Sequence, residues 1–148
     1  MRDLLLGVPP KDYVIATNAI PDEVHRLFPT SQLTGKSFGV IRVHIAERDF
    51  EIATFRADRN YSDGRHPDSV VFSDPETDAQ RRDFTVNALF YDPVAHHLYD
   101  YVQGRADLKA GIIRAVGEPE KRFREDHLRI LRAIRFSARL GFPIETQT

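Results

Sequence analysis

The stretch FGVIRVHI-AERD-FEIATFR, residues 38–56, sets the fold class of this chain. Its two arms, Phe38–Ile45 and Phe50–Arg56, are rich in β-branched and aromatic residues. Four small or polar residues, Ala46 to Asp49, separate them. That pattern predicts two antiparallel strands joined as a hairpin. A second hairpin is expected further on, where RRDFTVNALFYD runs into an Asp92-Pro93 turn and then HHLYDY. Upstream, Tyr13–Thr17 reads as a short strand and Pro21–Phe28 as an amphipathic helix with Asp22 and Glu23 in its first turn. Hairpins mixed with helices argue for an α+β fold.

The remaining segments fill in around that frame. Leu4 to Leu6, ending at Gly7 and two prolines, read as the close of a helix. Residues 57–80, polar and holding Gly64, Pro67 and Pro75, read as one long loop of the kind that is usually functional or mobile. GRADLKAG predicts a short helix and IIRAVG a final strand. From Glu118 the pattern is helical until Gly141-Phe142-Pro143 stops it. Both ends read as cut from something longer.

Composition excludes several chemistries. The chain has 148 residues, one domain or slightly more, and a net charge of −1. It has no cysteine, which rules out disulfides, thiolate zinc sites and cysteine nucleophiles. No apolar run reaches membrane-spanning length and no signal-peptide pattern opens the chain, so the expected location is cytoplasmic. Charge is uneven: residues 101–148 hold 10 Lys and Arg against 6 Asp and Glu, a local basic end after an acidic stretch.

Three groups of residues are candidates for chemistry. The last helix carries Ile130, Leu131, Ile134 and Ala138 on one stripe, with Glu125, Asp126, Arg129, Arg132, Arg135 and Arg139 opposite. The charged half is either a solvated face laced with ion pairs or a row that reads a base edge and balances phosphates. Phe136, interrupting that half, favours a covered face. Glu51 alternates away from Phe50 and Ile52; it is either an exposed strand position or, with Asp12, an oxygen ligand for a hard cation such as Mg²⁺. Arg81, Arg82 and Asp83 either start a helix capped by Asp83 or bind a polyphosphate while Asp83 and Asn87 hydrogen-bond a sugar hydroxyl. The six histidines lack companions at metal-ligand spacing, and no Gly-rich phosphate loop is present.

Taken in order, RDLLLG, PKDYVIATNA, FEIATFR, YSDGRHPDSVVF, RRDFTVNALFYDP, LYDYVQGRADLKAGIIRAVG and EDHLRILRAIRFSARLGF resemble the class II tRNA nucleotidyltransferase and bacterial poly(A) polymerase family over nearly the whole chain. The resemblance implies a polymerase-β-like nucleotidyltransferase head (a mixed, mainly antiparallel sheet flanked by helices) over residues 1–118, and the start of an all-α neck over 119–148. It implies template-independent transfer to an RNA 3′ end, tRNA or other, adding AMP from ATP as a poly(A) polymerase or CMP and AMP from CTP and ATP in CCA addition. It implies two Mg²⁺ ions on carboxylates, with Asp12 the first and Glu51 the third. It also assigns Arg2 to the triphosphate, Arg82, Asp83 and Asn87 to phosphates and ribose, and Asp126, Arg129, Arg132 and Arg135 to the base.

Two departures stand out. The family's opening glycine pair has no counterpart before Met1-Arg2-Asp3, and its aspartate-x-aspartate has Val14 at the second acid. Residues 12 and 14 of a strand share a face, so two acids there share metals, whereas valine supplies no lone pair. The expectation is an impaired enzyme; the alternative is a catalytically silent nucleotide- or RNA-binding module of the same fold.

Overall fold

A computed structural model describes residues 1–148, apart from the side chain of Thr34. Its centre is a four-stranded sheet in the order β1-β4-β3-β2, made of β1 (Val14–Thr17), β2 (Gln32–Gly35), β3 (Val40–Ile45) and β4 (Arg48–Thr54). β1 runs parallel to β4, and the other pairs are antiparallel. The expected hairpin is present with a tighter turn. Ile45 pairs with Arg48, leaving Ala46 and Glu47 as a two-residue turn with φ of 46° and 63°. A turn with positive φ at both central residues matches the twist of the flanking strands, and it draws Arg48 and Asp49 into β4.

One face of this sheet is covered by helix α2 (Pro21–Leu27): Val24 packs with Ile41, Val43 and Ile52, flanked by Ala19 and Phe28. The other face stays open, and residues Val14, Glu51 and Arg42 lie on it side by side in register.

Residues 57–80 are more ordered than a loop. They hold most of β5 (Arg56–Arg59), all of β6 (Ser69–Phe72), paired antiparallel, and then α3 (Pro75–Gln80). Asp74 caps that helix by accepting from the Thr77 backbone N–H at 2.8 Å, with Pro75 at its first position. The second expected hairpin forms from β7 (Leu89–Asp92) and β8 (His97–Asp100), followed by α4 (Gly104–Ala110). The IIRAVG strand does not form. Residues 112–117 instead run beside 83–85 with isolated bridges at Phe84–Ala115 and Ile113–Ile144.

The helical stretch beyond Glu118 is two helices, α5 (Pro119–Glu125) and α6 (Leu128–Leu140). Asp126 is extended (φ −144°) and its Oδ1 accepts from the Leu128 N–H at 2.9 Å. An aspartate whose side chain takes the N–H two residues on favours a turn over continued helix, so the helix breaks and restarts there.

The second core spans both parts of the chain. Phe84, Val86, Leu108 and Ile113 pack with Ala133 and Phe136 of α6, and the Phe84 and Phe136 rings meet edge to face at 5.9 Å. The α6 face that buries is the charged one, through Arg129, Ala133 and Phe136. The apolar stripe of Ile130, Leu131 and Ile134 is exposed, Leu131 by 63%. Helices α5 and α6 are thus seated on the same core as the RRDFTVN segment.

Candidate functional site

The segment after α3 turns sharply because its backbone is held from two sides. Thr85 N–H donates to the Arg114 carbonyl and Val116 N–H to the Asp83 carbonyl. Gly104, the first residue of α4, approaches so closely that a Cβ there would lie 2.3 Å from the Thr85 carbonyl oxygen. This fixes a single 3-10 turn at Thr85–Asn87, which presents Asp83 and Asn87 towards α6.

Asp83 is buried, 8% exposed, and both its oxygens accept hydrogen bonds. Its Oδ1 accepts from the Phe84 N–H at 2.7 Å and from Asn87 Nδ2 at 3.1 Å. Its Oδ2 accepts from Arg132 Nε at 2.7 Å and sits 2.6 Å from the same guanidinium's Nη2. Both nitrogens meet the one oxygen Oδ2, so this is a charge-assisted contact to a single oxygen rather than a two-oxygen fork. Asn87 Oδ1 in turn accepts from Arg2 at 2.6 Å. Arg2, Arg132 and Arg135 all lie against the Phe136 ring, 4.9–5.3 Å from its centroid. Helix α1 (Arg2–Leu5) is tied down by Asp3, which pairs with Arg2 at 2.7 Å and with Arg139 at 3.0 Å. Burial works against the charged Asp3 carboxyl, but the hydrogen bond and charge of Arg2, helped by Arg139, outweigh it and hold the group below its usual range.

Arg2, Asp83, Asn87, Arg132 and Arg135 are therefore brought together from three distant segments. Of the other expected positions, Arg82 touches that cluster at the Asn87 carbonyl and the rest stand apart from it. Arg82 lies over Phe90 at 4.7 Å, donates twice to Asp78 Oδ2 and once to the Asn87 carbonyl. Arg129 is buried, 6% exposed; it bonds the carbonyls of Arg122 and Arg81 and pairs with Glu125 at 3.0 Å. Asp126 stands 4.0 Å from Arg129 at the start of α6. Asp12 is exposed two residues before β1, and Glu51 is exposed on β4.

Several contributing residues were missed in the sequence. Asp78 is buried between Arg81 and Arg82, at 2.7 and 2.9 Å, and Asp58 joins the network through Arg56 at 2.9 Å and Arg81 at 3.3 Å. The signal for Asp78 was its i,i+3 and i,i+4 spacing to the two arginines. Arg42 was missed as well: it faces Glu51 across the β3–β4 pair, Nη2 to Oε1 3.4 Å. Its signal was its place as the cross-strand partner of a mid-strand acid.

The donor set does not suit a pair of hard divalent cations. Such ions take oxygen ligands from several carboxylates. Here Val14 offers none, Glu51 is turned to a guanidinium, and among the described residues no cluster of three or more Asp, Glu or His side chains is placed to hold a metal.

A family model described as the poly A polymerase head domain matches residues 1–114. The chain is 44% identical over its whole length to poly(A) polymerase I of Escherichia coli O6:H1, of which it spans 34%, and 44% identical to the CCA-adding enzyme of Staphylococcus aureus strain Newman, of which it spans 37%. Among solved structures, the CCA-adding enzyme of Bacillus stearothermophilus in complex with CTP superposes with a TM-score of 0.89 at 42% identity, over 99% of this chain and 35% of that one. The Thermotoga maritima CCA-adding enzyme complexed with tRNA gives 0.71 at 32% identity, over 97% of this chain and 33% of that one. The chain thus spans about a third of the length of these relatives. With the sheet order, the RRDFTVN turn and the α6 arginines in the same frame, this chain belongs to the poly(A) polymerase head-domain family.

Proposed function

We propose that this chain is the nucleotide-binding head, with the beginning of the helical neck, of an RNA 3′-terminal nucleotidyltransferase that adds AMP, or CMP and AMP, without a template. The observation that carries the reading is the Asp83–Asn87–Arg2–Arg132 cluster. It joins the segments that the family resemblance assigns to triphosphate, ribose and base. In that role Arg2 and Arg82 take phosphate oxygens, while Asp83 and Asn87 face the ribose. Asp126, Arg129, Arg132 and Arg135 form the wall beside the base, with Arg129 holding that wall through the Arg81 and Arg122 carbonyls rather than reaching out.

ATP, CTP and an RNA 3′ end are the proposed partners, on the support that related structures carry CTP, an ATP analog with primer tRNA, and tRNA. No helix among the described residues is long and apolar enough to cross a membrane, in keeping with the proposed cytoplasmic location. A second reading, a nucleotide- or RNA-binding module that turns over poorly, is favoured by Val14 and by the Arg42–Glu51 pair. Losing charge stabilisation at the reacting phosphate costs several kcal/mol of barrier, roughly a hundredfold or more in rate.

The test is calorimetric binding of ATP and CTP to the chain and to Arg132→Ala, followed by incorporation of labelled ATP and CTP into an RNA 3′ end. Binding by the chain that weakens about tenfold or more in Arg132→Ala, a loss of about 1.4 kcal/mol, is expected. Equal binding by both proteins would sink the site assignment. Incorporation equal to that of a Val14→Asp variant would discard the second reading.

A further inference from the structure

On the open face of the sheet, Val14 stands where the family implies the second metal acid, and Arg42 stands beside Glu51, the implied third. Val14 on β1 pairs with Glu51 on β4, and Glu51 pairs with Arg42 on β3. Directly opposed residues on neighbouring strands project to the same side. The reverse side of β3 and β4 is the one that buries Ile41, Val43 and Ile52. On the open side, a hard dication would meet valine's methyls at one position and a cationic neighbour at another.

The Arg42–Glu51 pair adds little to stability, because the side chains are 52% and 49% exposed. Its effect is on charge. A guanidinium stays protonated at any working pH, so the positive charge beside Glu51 is permanent. The same guanidinium opposes a second cation by Coulomb repulsion and attracts phosphate oxygens.

We infer that this chain has exchanged the divalent-metal pair for the permanent charge of the Arg42 guanidinium beside Glu51, so that a nucleoside triphosphate binds the head as the free polyanion, with no requirement for Mg²⁺. The nucleotide half of this statement rests on the function proposed above; the metal half does not. Val14 and Arg42 work as a unit: the first leaves no carboxylate at position 14, and the second pairs with Glu51.

The experiment has two independent readouts on the full chain, Val14→Asp, and Val14→Asp/Arg42→Ala. Val14 is 57% exposed and Arg42 is exposed, so neither change enters the core, and thermal melts verify the fold. Electron paramagnetic resonance of Mn²⁺ measures metal binding without nucleotide. Affinity is expected to rise in steps, with the double variant at least about tenfold tighter than the unaltered chain and Val14→Asp between them. An unaltered chain that binds Mn²⁺ as tightly as the double variant overturns the exchange, and a single variant equal to the double overturns the part given to Arg42.

Titration of ATP in Mg²⁺ and in chelator reads the second half. Dissociation constants of the unaltered chain that agree within about twofold support it, and tenfold tightening by Mg²⁺ overturns it. If ATP binds in neither buffer, the nucleotide half and the proposed function fail together, while the Mn²⁺ series still decides the metal half.

Discussion

Asp83 and Arg132, 49 residues apart in the chain, meet as carboxylate and guanidinium at 2.6 Å, and the carboxylate is the buried partner. This contact ties the turn after α3 to the first turns of α6. The two sides are unequal: Arg132 keeps 42% of its side chain exposed, so solvent screens its charge, while Asp83 has no water to fall back on.

That asymmetry predicts unequal single variants. Arg132→Met leaves a buried acid with weaker partners and is expected to cost about 1–2 kcal/mol, at the low end for a charged hydrogen bond because of the exposure. Asp83→Asn/Arg132→Met should cost less than the sum of the two single changes. Urea unfolding of the four proteins measures the coupling, and additivity within about 0.3–0.5 kcal/mol would show that the pair does not act as a unit.

The faces of α6 give a sharper contrast. Phe136 lies in the core against Phe84, while Ile134 is 57% exposed. Phe136→Ala is expected to cost about 3–5 kcal/mol, and Ile134→Glu to stay within about 0.5 kcal/mol of the unaltered chain. A helical-wheel reading that buries the apolar stripe predicts the reverse order, so thermal melts of the two variants separate the readings directly.

That inversion shows where the sequence was readable and where it was not. The β3–β4 hairpin, the β7–β8 hairpin and the stop at Gly141 were legible because local chemistry decides them: β-branched runs, an Asp-Pro turn, a glycine with φ of 69°. The burial of α6 was legible only in part: Phe136, interrupting the charged half, pointed to a covered face, but wheel patterns count arginine heads and not the stems that cover apolar surface. The β5–β6 pair was hidden for a related reason: RADR is polar at every second position and more, with Arg56 paired to Asp58 inside the strand and its backbone N–H taken by Asp78 from outside it. By contrast α3 carried a readable start in Asp74-Pro75 that the surrounding polarity masked. Within the site, Asp83, Asn87 and the α6 arginines were named by motif. Their mutual contacts depend on Gly104 and on the 112–117 segment, which no local signal connects to them.

Tyr61 sets an alkaline limit. Burial, then the charge of Asp58 and the hydrogen bond its hydroxyl donates to Asp58 at 2.9 Å, push the phenol from 10 up to about 12. The folded state therefore prefers the protonated phenol more than the unfolded chain does. Its contribution is fully present below about pH 10 and is lost as pH rises from 10 towards 12. The urea midpoint should fall across that window. In a tyrosinate absorbance titration, Tyr61→Phe should remove a component with its midpoint near 12; an unchanged titration curve would contradict the assignment.

Asp78 is the residue on which the placement of Arg82 depends. It is 2% exposed, and its two oxygens divide the neighbouring arginines, Oδ1 to Arg81 and Oδ2 to Arg82. With Nε and Nη2 committed to Asp78 and Nη1 to the Asn87 carbonyl, the Arg82 guanidinium is held over Phe90. Asp78→Asn keeps the shape but supplies one acceptor oxygen where two arginines need two. Breaking a buried ion pair on one side costs about 3–5 kcal/mol, and the partial exposure of Arg81 and Arg82 brings the expected loss to about 2–3 kcal/mol. If Arg82 holds phosphate in the proposed way, ATP affinity should fall in Asp78→Asn by about as much as in Arg82→Ala, since an unheld arginine must first be ordered by the ligand. Comparing ATP and adenosine isolates that effect: the loss belongs to ATP, and an equal loss for adenosine would mean that Asp78 supports the whole domain rather than the seating of one guanidinium.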